Sequence, residues 1–111
     1  MSNSILLNGD CTNEMKKIAD RSVNLILTDP PYNLGNFMIN RSTNLAKMRE
    51  NFFANAGWDN LEFEYWVKHM DSFFEDASRI ITIGGSMIVF MSIIKVETVI
   101  KLAEKHGFYY K

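Results

Sequence analysis

One cysteine, Cys11, leaves the chain without a partner for an internal disulfide, and no Cys-x-x-Cys pair or Cys/His cluster offers a metal its ligands. A reducing, cytoplasmic compartment is the expectation. No apolar run approaches the roughly 20 residues of a membrane span. The first ten residues lack the basic and apolar regions of a signal peptide. Nor does charge of one sign dominate: the formal net charge is −1, so the whole chain exerts no strong pull on nucleic acid. Proline is scarce, and the two present stand side by side as Pro30-Pro31. What remains is a chain of 111 residues, 47% hydrophobic and 23% charged, enough for one small domain whose core has limited margin.

The apolar residues 4–8 run into Gly9-Asp10 and read as a strand. Thr12 is placed to cap a helix with Met15, Ile18 and Ala19 on one face. After a turn at Asp20-Arg21-Ser22, residues 23–28 form a second strand. Their near-continuous apolar character predicts burial on both faces, as in a parallel sheet. Strand, helix and strand in this order make a βαβ unit. Residues 33–60 are long and irregular, with Leu45, Met48, Phe52 and Phe53 at helical spacing. Arg41, Lys47 and Arg49 make this segment basic, which suits either a solvated face or contact with phosphates.

Asp59-Asn60-Leu61-Glu62 resembles a capping box. The helix it opens carries Phe63, Trp66, Val67, Met70, Phe73, Phe74 and Ala77 at intervals of three and four, a core stripe. Gly84-Gly85 is expected as a turn before a third buried strand at 86–91. Ser92 then caps a helix with Val96, Val99, Ile100 and Ala103 inward, ending near Gly107, and Phe108-Tyr109-Tyr110 opens a fourth strand.

The most informative stretch is Thr28-Asp29-Pro30-Pro31-Tyr32, directly after a buried strand. In open α/β sheets, ligands bind just past the carboxyl ends of strands. An exocyclic amino group on adenine or cytosine is a poor nucleophile because its lone pair is delocalised into the ring. Two acceptors that each take one N–H draw the nitrogen toward tetrahedral geometry. Asp29 offers a carboxylate, and Pro30 offers a carbonyl whose direction is set by the locked proline φ. Asp29, preceding a proline, is itself biased toward an extended backbone. Tyr32 offers a face on which a base can stack, worth about 1–3 kcal/mol. A base inside a duplex reaches such a pocket only by flipping out. The competing reading, a stiff turn, suits Asp-Pro alone better than it suits the whole tetrapeptide.

Residues 28–35, Thr-Asp-Pro-Pro-Tyr-Asn-Leu-Gly, resemble the catalytic motif of the S-adenosylmethionine-dependent DNA amino-methyltransferases. The order of features resembles the permuted class, in which the catalytic motif comes first. Asn8-Gly9-Asp10-Cys11 is similar to that class's adenosine-contacting segment, and Ser22-Val23-Asn24-Leu25-Ile26 to its lead-in to the catalytic strand. Gly57-Trp58-Asp59, Trp66, Gly84-Gly85-Ser86 and Gly107-Phe108 match later landmarks. The resemblance implies a partial Rossmann-like α/β fold with mainly parallel strands and flanking helices. It implies that Asp29, Pro30, Pro31 and Tyr32 are catalytic, that Asp10, Cys11 and Asp29 lie at the cofactor S-adenosylmethionine, and that DNA is the substrate of the complete enzyme. The Asp form of the motif resembles adenine-N6 enzymes, of the kind found in restriction-modification, more than cytosine-N4 ones. Simpler roles compete at some positions: a turn or helix cap for Asp10, a buried small apolar residue for Cys11, and the start of a helix for Trp58 and Asp59.

The sequence departs from the class in lacking a following DNA-recognition region and a Phe-x-Gly-x-Gly segment that grips the methionine part of the cofactor. Residues 1–111 are therefore expected to be a single incomplete catalytic domain, inactive alone, that self-associates or needs a complementing chain. Two alternatives stand beside this reading. One is a non-catalytic remnant that binds a partner protein. The other is methylation of a different planar amide, since related Asn/Asp-Pro-Pro-Tyr motifs act on glutamine side chains.

Overall fold

A computed structural model describes residues 3–31 and 62–111. The elements are a short helix α1 (Cys11–Glu14) running into a 3-10 turn (Met15–Lys17), strand β1 (Val23–Thr28), helix α2 (Phe63–Ile80), strand β2 (Ile81–Val89) and helix α3 (Val96–Lys105). β1 and β2 pair in parallel, with α2 leading into β2. Among the described residues the result is a two-stranded parallel sheet with flanking helices, part of a Rossmann-like α/β fold. Among the described residues the βαβ order is β1, α2, β2, rather than one that begins at residues 4–8.

α2 follows from its sequence. It has 18 residues without glycine or proline, and Trp66, Met70, Phe73, Phe74, Ala77 and Ile80 return to one face and are buried. Val67 packs at the edge of the same cluster, while Phe63 stays half exposed. The last turn of α2 leaves carbonyls that the helix cannot satisfy. Residues just before β1 supply donors: the Arg21 and Ser22 backbone N–H groups reach Arg79 O and Ile80 O, at 3.0 and 2.8 Å. Arg21 takes a left-handed backbone (φ 54°), and its guanidinium donates to Ser78 O and Ile81 O. The start of β1 is thereby tied to the junction of α2 and β2.

The core contains Met15, the apolar stripe of α2, Ile81 and Val99, with Ile26, Met87, Val89 and Phe108 packed at its margin. Asp76 is the charged exception, buried beside Lys16 (2.7 Å) and Arg79 (3.6 Å). Arg79 also donates to Asp20 and to the carbonyls of Met15 and Ile18, which holds the 3-10 turn against α2.

Several expectations change. Residues 4–8 form no strand, and Ile5 and Leu6 are 86% and 95% exposed. A strand needs a hydrogen-bonded neighbour, and no described strand lies beside them. Phe108-Tyr109-Tyr110 is unpaired for the same reason, although Phe108 packs on the core. β1 has the expected bounds but is not buried on both faces: Leu25 and Leu27 are 53% and 63% exposed, because the core covers only the opposite face. Asp10, not Thr12, caps α1.

Gly84-Gly85 lies inside β2, not before a strand. The pairing steps from Val23↔Ile81 to Leu25↔Ser86, so β2 carries a bulge opposite β1. Gly84 has φ +82°, and a Cβ at Gly85 would lie 2.7 Å from Ile81 Cγ1 and 3.0 Å from Asn24 O. Both positions require glycine, one for its backbone angle and one for the close approach.

α3 ends as its sequence indicates. Gly107 (φ +95°) donates to Glu104 O and Phe108 to Ala103 O, a paired C-terminal cap. Ser92 does not cap α3: Lys95 holds that position without a side-chain hydrogen bond, and Ser92 Oγ instead accepts from Ile94 N at 3.3 Å in the turn before the helix.

α2 and α3 are also joined by Asp71, which accepts from His106 (2.7 Å) and Lys105 (3.1 Å). The His106 hydrogen bond, followed by that of Lys105, holds the Asp71 carboxyl below its ordinary value of 3.8. A carboxyl with a depressed folded-state pKa stabilises the fold above its unfolded pKa and loses that contribution as pH falls through the folded one. Asp71→Asn is therefore expected to lower the urea midpoint at neutral pH. The gap to the wild type should narrow as pH falls below about 4. A gap that is constant down to pH 2 would refute the ion-pair account.

Candidate active site

The ladder between β1 and β2 ends where Phe90 N donates to Thr28 O at 3.0 Å. Asp29 follows at the surface, and Pro30 and Pro31 are half-buried. The stop is chemical: two successive prolines have no N–H to continue a ladder. Because the strands are parallel, their carboxyl ends lie at the same end of the sheet, so the 90–95 segment leaves β2 beside the one that carries Asp29.

The Pro31 carbonyl has a donor from the core. Trp66 in the first turn of α2 is 1% exposed, and its indole Nε1–H reaches Pro31 O at 2.9 Å. The Trp66 and Phe63 rings stack with centroids 6.1 Å apart, and Lys95 Nζ lies 4.7 Å from the Phe63 ring and 5.7 Å from the Trp66 ring. The stripe on α2 identifies Trp66 as core. Its attachment to the motif is not visible from periodicity; the only available signal is that a buried tryptophan needs an acceptor for its N–H.

The second predicted group sits at the start of α1. Asp10 Oδ1 accepts the Thr12 backbone N–H at 2.9 Å and the Thr12 hydroxyl. The hydroxyl bond, then the backbone bond, lowers the Asp10 pKa, so its carboxylate is ionised at neutral pH. Cys11 is exposed rather than a buried apolar residue. Desolvation of its sulfur, with the Asp10 charge second, raises the thiol pKa and disfavours a thiolate.

The structure thus places Asp29, Pro30 and Pro31 together at the end of β1, and Asp10 and Cys11 together at the start of α1. Tyr32, Arg41, Lys47, Arg49, the Leu45–Phe53 spacing, Gly57-Trp58-Asp59 and residues 59–61 of the expected capping box lie outside the described residues. Glu62, the last residue of that box, is itself the N-cap of α2 with no side-chain cap hydrogen bond, rather than a residue of its first turn. No group of acidic, His or Cys side chains among the described residues could hold a metal. No described helix is long and apolar enough to cross a membrane.

Comparison with known proteins gives this strand end a family. Residues 23–111, from the first residue of β1 onward, match the DNA methylase family of N6/N4 enzymes. The chain is also similar to the type II methyltransferase M.HpaI of Haemophilus parainfluenzae, with 26% identity over 97 residues. That alignment covers 86% of this chain and 26% of the relative, so the chain spans about a quarter of that protein's length. With a match that runs through β1, α2, β2 and α3, the chain belongs to the N6/N4 DNA methylase family.

Proposed function

We propose that this chain is the amino-group-holding portion of an S-adenosylmethionine-dependent DNA adenine-N6 methyltransferase of the permuted class, and that it is inactive alone. The observation that carries the proposal is the position of Asp29-Pro30 at the end of β1, where the ladder has stopped and the carboxylate faces solvent. In this reading the Asp29 carboxylate accepts one amino hydrogen of a flipped adenine and the Pro30 carbonyl accepts the other. The nitrogen lone pair is then directed out of the ring plane. Tyr32 stacks on the base.

Asp10 and Cys11 fit only one end of the cofactor. An ionised surface carboxylate suits the hydroxyl or amine donors of an adenosine, and Cys11 adds a soft, neutral edge. When bound, S-adenosylmethionine supplies the electrophilic methyl group. Asp10 and Cys11 orient its nucleoside, and Asp29 and Pro30 hold the acceptor nitrogen. Catalysis requires donor and acceptor held at near-attack distance, and the sequence lacks the Phe-x-Gly-x-Gly segment that would complete that grip.

The test is transfer of labelled methyl from S-adenosylmethionine to unmethylated DNA. The chain alone is expected to incorporate none, and addition of a chain carrying the missing segment is expected to restore transfer to adenine N6. Label on cytosine N4 would overturn the adenine assignment, and label incorporated by the purified chain alone would overturn its incompleteness. In the restored enzyme Tyr32→Phe should be mild and Tyr32→Ala severe, because stacking uses the ring and not the hydroxyl. Equal losses would remove Tyr32 from the stacking role.

A second reading, a non-catalytic subunit that binds protein, is favoured by one observation. Leu25, Leu27, Ile88 and Phe90 are all about half exposed, and Leu27 and Ile88 are register partners on the sheet. An exposed apolar sheet face, on strands with no further neighbour among the described residues, invites another chain. Both readings predict association, either with a second copy or with a complementing chain. Sedimentation of the purified chain should show oligomers that dissociate on dilution, and a monomer at high concentration would count against association with a second copy. Restored methyl transfer separates the two readings.

A further inference from the structure

We propose that Trp66 is the positioning residue of the strand-end motif: its buried indole N–H holds the Pro31 carbonyl and so sets the directions of the Pro30 carbonyl and the Asp29 carboxylate. The need arises from the motif itself. Asp29-Pro30-Pro31 has one backbone N–H and three carbonyls, because neither proline carries a donor. Such a segment can be held along the chain mainly through its acceptors, so the donor must come from elsewhere.

Trp66 meets this need. The indole nitrogen donates only, and the side chain is 1% exposed on a helix that forms the core stripe. Its 2.9 Å bond to Pro31 O joins the motif to the buried core. Both proline φ angles are locked near −65°, so few torsions separate the pinned Pro31 carbonyl from the Pro30 carbonyl one residue back. The contacts of the indole with Phe63 and Lys95 restrain its plane. The consequence for the amino group rests on the methyltransferase reading, whereas the clamp itself does not.

The test is NMR of the labelled chain. In the wild type, scalar coupling is expected between Trp66 Nε1 and the Pro31 carbonyl carbon. In Trp66→Phe, which keeps an aromatic ring but loses the donor, the Pro31 carbonyl-carbon order parameter should fall from about 0.85 to below about 0.6. The Asp29 amide, in the peptide plane whose Thr28 carbonyl accepts from Phe90 N, should stay ordered. The Ala77 amide should stay rigid, which a general loosening of the core would not allow. Absence of the coupling in the wild type, or a Pro31 carbonyl equally ordered in Trp66→Phe, would overturn the proposal. If Trp66→Phe does not fold, the wild-type coupling decides. A methyl-transfer assay that fails for every assembly would defeat the functional reading and leave these readouts unchanged.

Discussion

Asp29→Ala is expected to reduce methyl transfer by at least about a hundredfold in any active assembly of this chain, the scale of deleting one preorganised polar group at a transition state. The side chain lies at the surface, past the last ladder bond at Thr28, so its removal opens no core cavity. Stability should change by no more than about 0.5 kcal/mol. The two readouts together make the test specific: turnover collapses while the urea midpoint and the assembly stay where they are. Asp29→Asn keeps the size and one acceptor oxygen but removes the charge, and should fall between alanine and wild type. An Asp29→Ala enzyme with near-normal turnover would remove the carboxylate from the chemistry.

Phe74→Ala is expected to destabilise the fold by about 3–5 kcal/mol, the usual cost of truncating a buried phenylalanine. Phe74 is fully buried, with its ring 5.3 Å from that of Phe73 and 6.5 Å from that of Phe108. It therefore joins α2 to the segment after α3. Domains are stable by only about 5–15 kcal/mol, so the variant should lose a large share of its stability and much of its cooperative transition. Phe63→Ala is the internal control. Phe63 lies on the same helix but is half exposed, and its truncation should cost far less. Equal urea midpoints for the two variants would contradict the core described here.

Elements governed by local chemistry were legible in the sequence. β1 spans the expected residues because apolar side chains run up to a pair of prolines that cannot donate. α2 follows from its three- and four-residue spacing, and the end of α3 from Gly107. The Asp-Pro-Pro motif falls at a strand end for the same local reason. Less visible were features that depend on a partner distant in sequence. Whether residues 4–8 or 108–110 pair as strands depends on a neighbour, and apolar composition cannot supply one.

Local sequence was enough to place the end of β1 and the apolar face of α2, because missing N–H groups and side-chain periodicity are properties of adjacent residues. Tertiary structure alone decided that Leu25 and Leu27 stay exposed, that Gly84-Gly85 bulges inside β2, and that the single donor of Trp66 goes to Pro31. Those outcomes depend on which surfaces and hydrogen-bonding groups meet across the fold, and for Trp66 and Pro31 that meeting spans 35 residues of chain.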